Sequence, residues 1–292
     1  MEGEWQCVER ADWADVPLTV TELTVVSFNT LRRNYRFNQN TYTAEEHRSF
    51  DGHRLKLHRS LFLDELGKSA DLLCLEEVEQ VEDFAFLADT YEYVQPLGNG
   101  KKQKKQAGQH SFTRPYLFYR RQRFELVWES QRSRAVLAQL ADKQTGRTLL
   151  VASVHLQGGP AGETDRQNQL RNVSRFLGER LEALPEEAKA KAGIVIAGDF
   201  NCDMEADAFA AMGLRPAFGR EDVPFTHKWG QGTPQFFSAL DQVFWSEQTL
   251  RKVRFRNPFS SDEWIEYLRF KGIPNERHQS DHVPLVATFA YV

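Results

Sequence analysis

The stretch AGIVIAGDF, residues 192–200, is an apolar run with an acidic residue, Asp199, next to its end. Asn201 follows directly after it. A short apolar run bounded by polar residues is typical of a buried β-strand. Asp241 and Asp281 each stand just before a similar run further along the chain. Charge at the ends of buried strands is therefore the feature of this sequence that most needs an explanation.

Strand-like runs recur along the whole chain and are separated by a few helical patterns. The runs lie at 23–28, 71–75, 91–97, 115–120, 124–130, 135–142, 148–156, 192–200, 240–246 and 283–292. Helical periodicity predicts helices over 53–66 and 164–184, and a third, short helix over 81–89. Many strands with few long helices predict an α+β protein built from two packed sheets.

Composition and charge narrow the class of protein. The chain has 292 residues and a net charge of −4, which excludes binding of nucleic acid by bulk positive charge. Three cysteines, one of them in an apolar run, indicate a reducing compartment. The acidic N-terminus lacks a signal-peptide pattern, and no apolar run approaches the roughly 18 residues of a membrane span. We therefore expect an intracellular, cytoplasmic protein without a membrane span.

One biased segment, GNGKKQKKQAGQ (98–109), carries four lysines and reads as a mobile basic loop. It is either a solvated hairpin tip or a contact for a phosphate backbone. No internal repeat and no Pro/Gly/Ser-rich linker marks a domain boundary.

Polar residues at the ends of the apolar runs form a set rich in oxygen ligands and poor in cysteine. Such a set suits Mg²⁺ or Mn²⁺, and its two histidines can transfer a proton near neutral pH. An isolated aspartate at a strand end is more often a turn residue, so recurrence at one type of position carries the argument. The residues are Asn29, Glu77, His155, Asp199, Asn201, Asp241, Asp281 and His282.

Six motifs in order give the chain a resemblance to the endonuclease/exonuclease/phosphatase superfamily, which includes deoxyribonuclease I, exonuclease III and the neutral sphingomyelinases. The motifs are VVSFNTL (25–31), ADLLCLEEV (70–78), VASVHL (151–156), IAGDFN (196–201), LDQVFWS (240–246) and SDH (280–282). The resemblance implies a deoxyribonuclease I-like, four-layer α/β/β/α fold, a two-sheet β-sandwich flanked by helices. We expect one catalytic domain over 21–292, after an N-terminal extension at 1–20.

The resemblance also implies roles for the matching residues. The metal ligands would be Asn29, Glu77 and Asp281, holding Mg²⁺, with Mn²⁺ as the alternative. The catalytic residues would be His155, Asp199, Asn201, Asp241 and His282. In this scheme Asp241 orients His282 as the base that activates water, while the part played by Asp199 stays open between alignment of the water and protonation of the leaving oxygen.

Within the superfamily the chain looks most like the deadenylase-like branch of nocturnin, the Angel proteins and the carbon-catabolite-repression deadenylases. The similarity rests on FYRRQRF (118–124) and IPNERHQSDHVPLVATF (273–289). Two departures put the poly(A) preference in question. Glu76 stands where the family usually has Gln, and TRPYL (113–117) replaces a stretch of small residues.

Five further residues are candidates for substrate binding, because aromatic rings can stack on bases and arginines can meet phosphates. For each of them, the alternative to a role in substrate binding is ordinary packing within the protein or a solvated position on its surface. They are Arg114, Tyr116, Arg166, Trp229 and Phe237.

The leading hypothesis is a Mg²⁺-dependent phosphodiesterase acting on RNA as a 3′-to-5′ exoribonuclease of the deadenylase-like kind. The alternatives are a phosphatase for a nucleotide or other small phosphomonoester, a DNA endonuclease or exonuclease, and an inactive binding module. The expected partner is an RNA or nucleotide substrate, and the expected state is a monomer. Any adaptor protein would have to dock on the surface of the catalytic unit, and its identity is unknown.

Overall fold

A computed structural model of the chain describes residues 22–31, 55–94, 114–132, 134–203, 208–219, 226–229, 236–256 and 278–292. The predicted basic loop and the predicted N-terminal extension lie outside these ranges. Within them, no helix combines the length and the apolar character needed to cross a membrane.

Two six-stranded sheets and a small hairpin account for the strands of the described residues. The first sheet has the order β13-β14-β1-β2-β4-β3, the second β5-β6-β7-β8-β12-β9, and the hairpin β10-β11. The strands are β1 (Glu22–Asn29), β2 (Leu72–Val78), β3 (Tyr91–Val94), β4 (Arg114–Arg120), β5 (Phe124–Gln131), β6 (Ala135–Asp142), β7 (Thr148–His155), β8 (Gly193–Asp199), β9 (Leu214–Pro216), β10 (His227–Trp229), β11 (Phe236–Ser238), β12 (Asp241–Ser246), β13 (Leu250–Arg256) and β14 (Leu285–Tyr291).

Apolar side chains from both sheets meet in one buried layer, which confirms the predicted sandwich. Successive side chains of a strand point to opposite faces, so alternate residues of each central strand enter this layer. Val25 and Leu72 of the first sheet, with Val151 and Val195 of the second, are all fully buried there. Burial of apolar side chains on this scale is the main force that holds two sheets face to face.

Helices cover the outer faces of both sheets and complete the predicted four layers. The first helix, α1, runs over residues 55–69, with a π-helical turn at Leu61–Leu66 and an end at Gly67–Ser69. Its Phe62 packs on the first sheet. The second helix, α2 (Glu163–Glu182), packs Leu177 on the second sheet. A short helix at Glu186–Lys189 and 3₁₀ turns at Val81–Leu87, Pro160–Gly162 and Ala210–Met212 complete the helical elements.

Four strands were not expected from the sequence. β9, β10 and β11 span three residues each, which is too short for a period of two to be recognised. β13 reads LRKVRFR, and its basic residues obscure the alternation of apolar and polar residues that is typical of a strand. It lies at the edge of its sheet, where one of its sides pairs with no strand of the described residues. Charged residues are a common protection of edge strands.

A buried ion cluster joins the two sheets at the end of the sandwich opposite to the ends of β1, β2, β7 and β8. Arg123 Nη1 lies 3.0 Å from Asp71 Oδ2, and Arg123 Nη2 lies 2.9 Å from Asp142 Oδ2. The Arg123 guanidinium also donates to the carbonyl oxygen of Glu22. Burial raises the pKa of Asp71, while the charge of Arg123 opposes that rise.

Arg123→Met is expected to lower the free energy of unfolding by about 3–5 kcal/mol, because it removes the closest cation from two buried carboxylates. Urea unfolding followed by fluorescence measures the change. Arg171→Met, at an exposed position of α2, is the matched control and should stay within about 0.5 kcal/mol of the wild type. Equal stability of the two variants would contradict the structural role of the cluster.

Candidate active site

The sheet topology gathers strand ends at one edge of the sandwich. β1 and β2 are parallel, with Asn29 opposite Glu76, and β7 and β8 are parallel, with His155 opposite Asp199. Because the carboxyl ends of parallel strands lie at the same edge of a sheet, the four residues form two pairs at that edge. The antiparallel strand β12 begins there, with Asp241 opposite Asp199.

The motif that ends β8 has a steric requirement for glycine. Gly198 has φ +147°, and a Cβ at this position would lie 1.9 Å from the carbonyl oxygen of Val154 on β7. Only glycine permits this approach of the two backbones. Gly198 therefore allows Asp199 and His155 to end neighbouring strands side by side.

Asp199 lies at the centre of the site and is 1% exposed. Its Oδ2 accepts hydrogen bonds from Asn29 Nδ2 at 3.0 Å and from Asn201 Nδ2 at 3.1 Å. The same oxygen lies 3.6 Å from His155 Nε2 and 3.8 Å from His282 Nε2. One carboxylate oxygen thus faces two imidazoles and two amides.

A buried aspartate holds the second imidazole. His282 Nδ1 lies 2.8 Å from Asp241 Oδ2, and both residues are buried. Ser280 Oγ donates to the carbonyl oxygen of Asn29 at 2.6 Å and accepts from the backbone N–H of His282 at 3.1 Å. These bonds fix His282 to the end of β1 and leave its Nε2 facing Asp199.

The pKa values of these groups are displaced in different directions. Burial lowers the pKa of His282, but the charges of Asp241 and Asp199 outweigh burial and raise it well above its ordinary value. Burial raises the pKa of Asp199 to about 6, against the opposing charge of His282. Burial also tends to raise the pKa of Asp281, but the imidazole of His227, 3.7 Å away, and the charge of His282 lower it to about 2.

The two consecutive glutamates of β2 have different surroundings. Leu72 and Cys74 point between the sheets, and Glu76 continues this alternation into the interior, where it is 0% exposed. Neither of its carboxyl oxygens has a hydrogen-bond partner among the described residues. Glu77 has φ +57°, and its Oε1 lies 3.8 Å from His155 Nε2.

Backbone strain is concentrated around the site. In the described part of the chain, the non-glycine residues with positive φ are Leu31, Glu77 and Asn201. Each lies within two residues of a strand end at this edge. A left-handed conformation is unfavourable for such residues and tends to persist where function requires it.

His227 belongs to the site but was not singled out in the sequence. It forms an isolated antiparallel bridge with His282, and the two ring centroids are 4.5 Å apart. Its Nε2 lies 3.7 Å from Asp281 Oδ2. Its signal in the sequence was weak, namely a position two residues before Trp229, a candidate for substrate binding.

The five residues predicted to bind substrate lie in different surroundings, and their role in substrate binding stays a prediction. Arg166 is buried and donates to the carbonyl oxygens of Gln157 and Gly159, so it stabilises the loop before α2. Tyr116 stacks on Phe118 with ring centroids 6.2 Å apart. Arg114 begins β4, and Trp229 and Phe237 lie on paired strands of the hairpin β10-β11.

The donor set fits a divalent cation. Four carboxylates lie within 4.0 Å of His155 or His282, namely those of Glu77, Asp199, Asp241 and Asp281. Buried oxygens of Glu76 and Asp241 have no hydrogen-bond partner among the described residues. Unpaired buried carboxyl oxygens are costly unless a cation or a proton compensates them. The predicted ligands Asn29, Glu77 and Asp281 all lie at this edge, and the two groups Asp199–Asp241–His282 and His227–Asp281–His282 each bring three donor atoms within 4.8 Å.

Comparison with known families and sequences gives a consistent result. The sequence profile of the Endonuclease/Exonuclease/phosphatase family matches residues 26–282. The CCR4-Not complex 3′-5′-exoribonuclease subunit Ccr4 of Kluyveromyces lactis is 25% identical over 96% of this chain and 42% of that protein. The same subunit of Saccharomyces cerevisiae is 23% identical over 92% of this chain and 39% of that protein. The chain thus spans about two fifths of the curated relatives that it matches.

Solved structures show the same fold. The human Nocturnin catalytic domain with bound sulfate has a TM-score of 0.63 and 19% identity, covering 95% of this chain and 96% of that domain. ANGEL2, described as a 2′,3′-cyclic phosphatase and solved with adenosine-2′,3′-vanadate, has a TM-score of 0.67 and 17% identity, covering 92% and 96%. These likenesses confirm the predicted deoxyribonuclease I-like sandwich.

Glu76→Gln is expected to stabilise the metal-free protein at pH 7.5 and to have little effect near pH 4.5. Burial and the charges of Asp241 and Asp199 raise the pKa of Glu76, so the folded state keeps a proton that the unfolded state releases above about pH 4.5. Wild-type stability therefore falls as the pH rises through this window, whereas the amide does not titrate.

Thermal unfolding in EDTA at the two pH values measures this difference. Glu125→Gln, at an exposed position of β5, is the matched control and should give the same small difference at both pH values. A gain for Glu76→Gln that does not depend on pH would contradict the raised pKa.

Proposed function

Because this chain belongs to the Endonuclease/Exonuclease/phosphatase family, we propose that it is a divalent-cation-dependent phosphodiesterase that shortens RNA from its 3′ end. The observation that carries the proposal is the meeting of two histidines on one oxygen of the buried Asp199, at 3.6 and 3.8 Å. A base oriented by its own aspartate, beside a second imidazole and unpaired carboxylates, suits metal-assisted hydrolysis of a phosphate ester.

In this mechanism His282 Nε2 takes the proton of the attacking water. Asp241 orients the ring through Nδ1 and stabilises the imidazolium that forms. His155 donates to a non-bridging phosphate oxygen as negative charge grows there. Asp199, with a pKa of about 6, gives a proton to the leaving oxygen, and Asn201 positions the phosphate.

Asn29, Glu77 and Asp281 would hold the cation, with Mg²⁺ favoured by their oxygen atoms and Mn²⁺ accepted by the same ligands. A bound divalent cation would offset the repulsion between the phosphate and the carboxylates of the site and stabilise charge at phosphorus. Asn29 is suited to this task because its Oδ1, which accepts from the backbone N–H of Leu31 at 3.0 Å, keeps a second lone pair.

RNA is the proposed substrate because the curated relatives are 3′-5′-exoribonuclease subunits aligned over almost the whole chain. The net charge of −4 fits an enzyme that holds its substrate through a cation and a local surface rather than by bulk charge. We further expect a monomer with a cytoplasmic location.

Turnover of 5′-labelled oligo(A), a mixed-sequence RNA and the matching DNA tests the proposal, with nucleotide monophosphates and NADPH as small substrates. A ladder of shortened RNA that disappears with EDTA, with Asp199→Ala and with Glu77→Ala is expected. Asp165→Asn, at an exposed position of α2, is the control that keeps activity. Phosphate release from small molecules with intact RNA would replace the proposal with a phosphatase, and cleavage of DNA alone would replace it with a deoxyribonuclease.

Asp241→Asn is expected to lower kcat by about 10²–10⁴, since the imidazole loses the group that orients it. Loss of the Asp241 charge also lowers the pKa of His282, because that charge helps to raise it. A base must be unprotonated to act, so the acidic limb of the pH–rate profile should move to lower pH. A loss of rate with an unmoved limb would show that Asp241 has only a structural role.

A further inference from the structure

A second donor set lies beside the proposed Mg²⁺ ligands and has a different chemical character. It consists of His227 Nε2, one carboxylate oxygen of Asp281 and His282 Nε2. His227 Nε2 lies 3.7 Å from Asp281 Oδ2, and His282 Nε2 lies 4.0 Å from Asp281 Oδ1. Three donor atoms, one from each residue, fall within 4.8 Å of one another.

These separations are close to those that a tetrahedral zinc site needs. Zn–N and Zn–O distances of about 2.0–2.1 Å place neighbouring ligand atoms roughly 3.3–3.5 Å apart. The side chains of His227 and Asp281 are 16% and 22% exposed, so neither is enclosed by packing on every side. Two histidines and one carboxylate with an open fourth position form a known type of zinc ligand set.

The surroundings already orient two of the three ligands. Asp241 Oδ2 bonds Nδ1 of His282, which leaves Nε2 as the free ring nitrogen, 4.0 Å from Asp281 Oδ1 and 3.8 Å from Asp199 Oδ2. A carboxylate behind a metal-binding histidine is the usual support of such a ligand. The backbone of His227 is fixed by Thr226, whose carbonyl oxygen accepts from Val283 and whose Oγ1 accepts from the backbone N–H of Asp241.

Ligand type separates this set from the one proposed for Mg²⁺. Imidazole nitrogen suits zinc, cobalt, nickel and copper, whereas Mg²⁺ prefers oxygen. His227 contributes the second nitrogen, so the set becomes selective for a transition metal only because the β10 strand brings this residue to His282.

We propose that His227, Asp281 and His282 form a transition-metal site that takes Zn²⁺ and, when filled, switches off hydrolysis. The inhibitory part rests on the proposed function: a lone pair of His282 Nε2 that binds a cation cannot accept a proton from water. Asp281 belongs to both ligand sets, so Zn²⁺ and Mg²⁺ compete for the site.

Direct binding to the full chain, without substrate, tests the site independently of activity. Zn²⁺ affinity is measured by competition with a chromophoric chelator, and Co²⁺ serves as a spectroscopic probe of the ligands. The wild type should bind one Zn²⁺ at the site and give a Co²⁺ spectrum of four- or five-coordinate geometry. His227→Gln should weaken Zn²⁺ binding at least about tenfold and change that spectrum.

Asp165→Asn is the control, because it removes one potential metal ligand at an exposed position of α2, and it should bind like the wild type. Equal Zn²⁺ affinity of His227→Gln and the wild type would overturn the proposal. X-ray absorption of the Zn²⁺-loaded wild type gives a second readout that does not depend on the folding of a variant. Two imidazole ligands support the site, and a sulfur ligand or an all-oxygen shell overturns it.

Inhibition of the Mg²⁺-dependent reaction links the site to the proposed function. The Zn²⁺ concentration for half inhibition should rise at least about tenfold in His227→Gln and should increase with the Mg²⁺ concentration in the wild type. Zinc binding through His227 without any hydrolytic activity would reject the proposed function and leave the site intact. If the protein hydrolyses its substrate but His227→Gln binds Zn²⁺ as tightly as the wild type, the site is rejected and the proposed function stays intact.

Discussion

The hydrogen bond from Asn29 to Asp199 joins the two sheets at the edge where the candidate active site lies. Asn29 ends β1 of the first sheet and Asp199 ends β8 of the second, so this bond sets the spacing of the two halves of the site. His155 and His282 face the same oxygen of Asp199 from opposite sheets. His155 lies on the strand next to Asp199, whereas His282 can reach that oxygen only if the two sheets are packed together.

Buried carboxylates are compensated in different ways at the two ends of the sandwich. At the far end, the carboxylates of Asp71 and Asp142 both pair with Arg123, and Arg120 Nε lies 3.9 Å from Asp71 Oδ1. At the site, Glu76 and Asp241 keep buried oxygens without a hydrogen-bond partner among the described residues. A structural cluster satisfies its own charges, whereas the proposed catalytic cluster leaves negative charge to be balanced by a proton or a cation.

Much of this arrangement follows from local patterns in the sequence. Apolar runs with a period of two or with continuous apolar character identified the central strands, and the polar residues at their ends identified Asp199, Asp241 and His282. The two-sheet fold could be predicted because buried strands must cover one another's apolar faces. The order of the motifs then supplied the roles, which remain predictions.

What the sequence did not predict depends on contacts between distant residues. His227 lies next to His282 because an isolated β-bridge joins two segments that are 55 residues apart in the sequence. The periodicity of apolar residues within a segment does not predict such a contact. The hydrogen bonds of the Arg166 guanidinium to the loop before α2 were not predicted either, since they depend on how that loop folds. Glu76 was recognised as an extra carboxylate, but its burial beside Asp241 and Asp199 depends on the alternation of β2 and on the packing of the second sheet.

The position of Glu76 shows how a change of one residue type can alter a site without touching its ligands. An amide at this position would donate a hydrogen bond toward Asp241 or Asp199, whereas a carboxyl group can do so only while it is protonated. Burial and these two neighbours raise the pKa of Glu76, which favours the protonated form. Each carboxyl group around His282 therefore influences whether the others carry charge, so the negative charge available to a cation or a phosphate belongs to the cluster as a whole rather than to any single ligand.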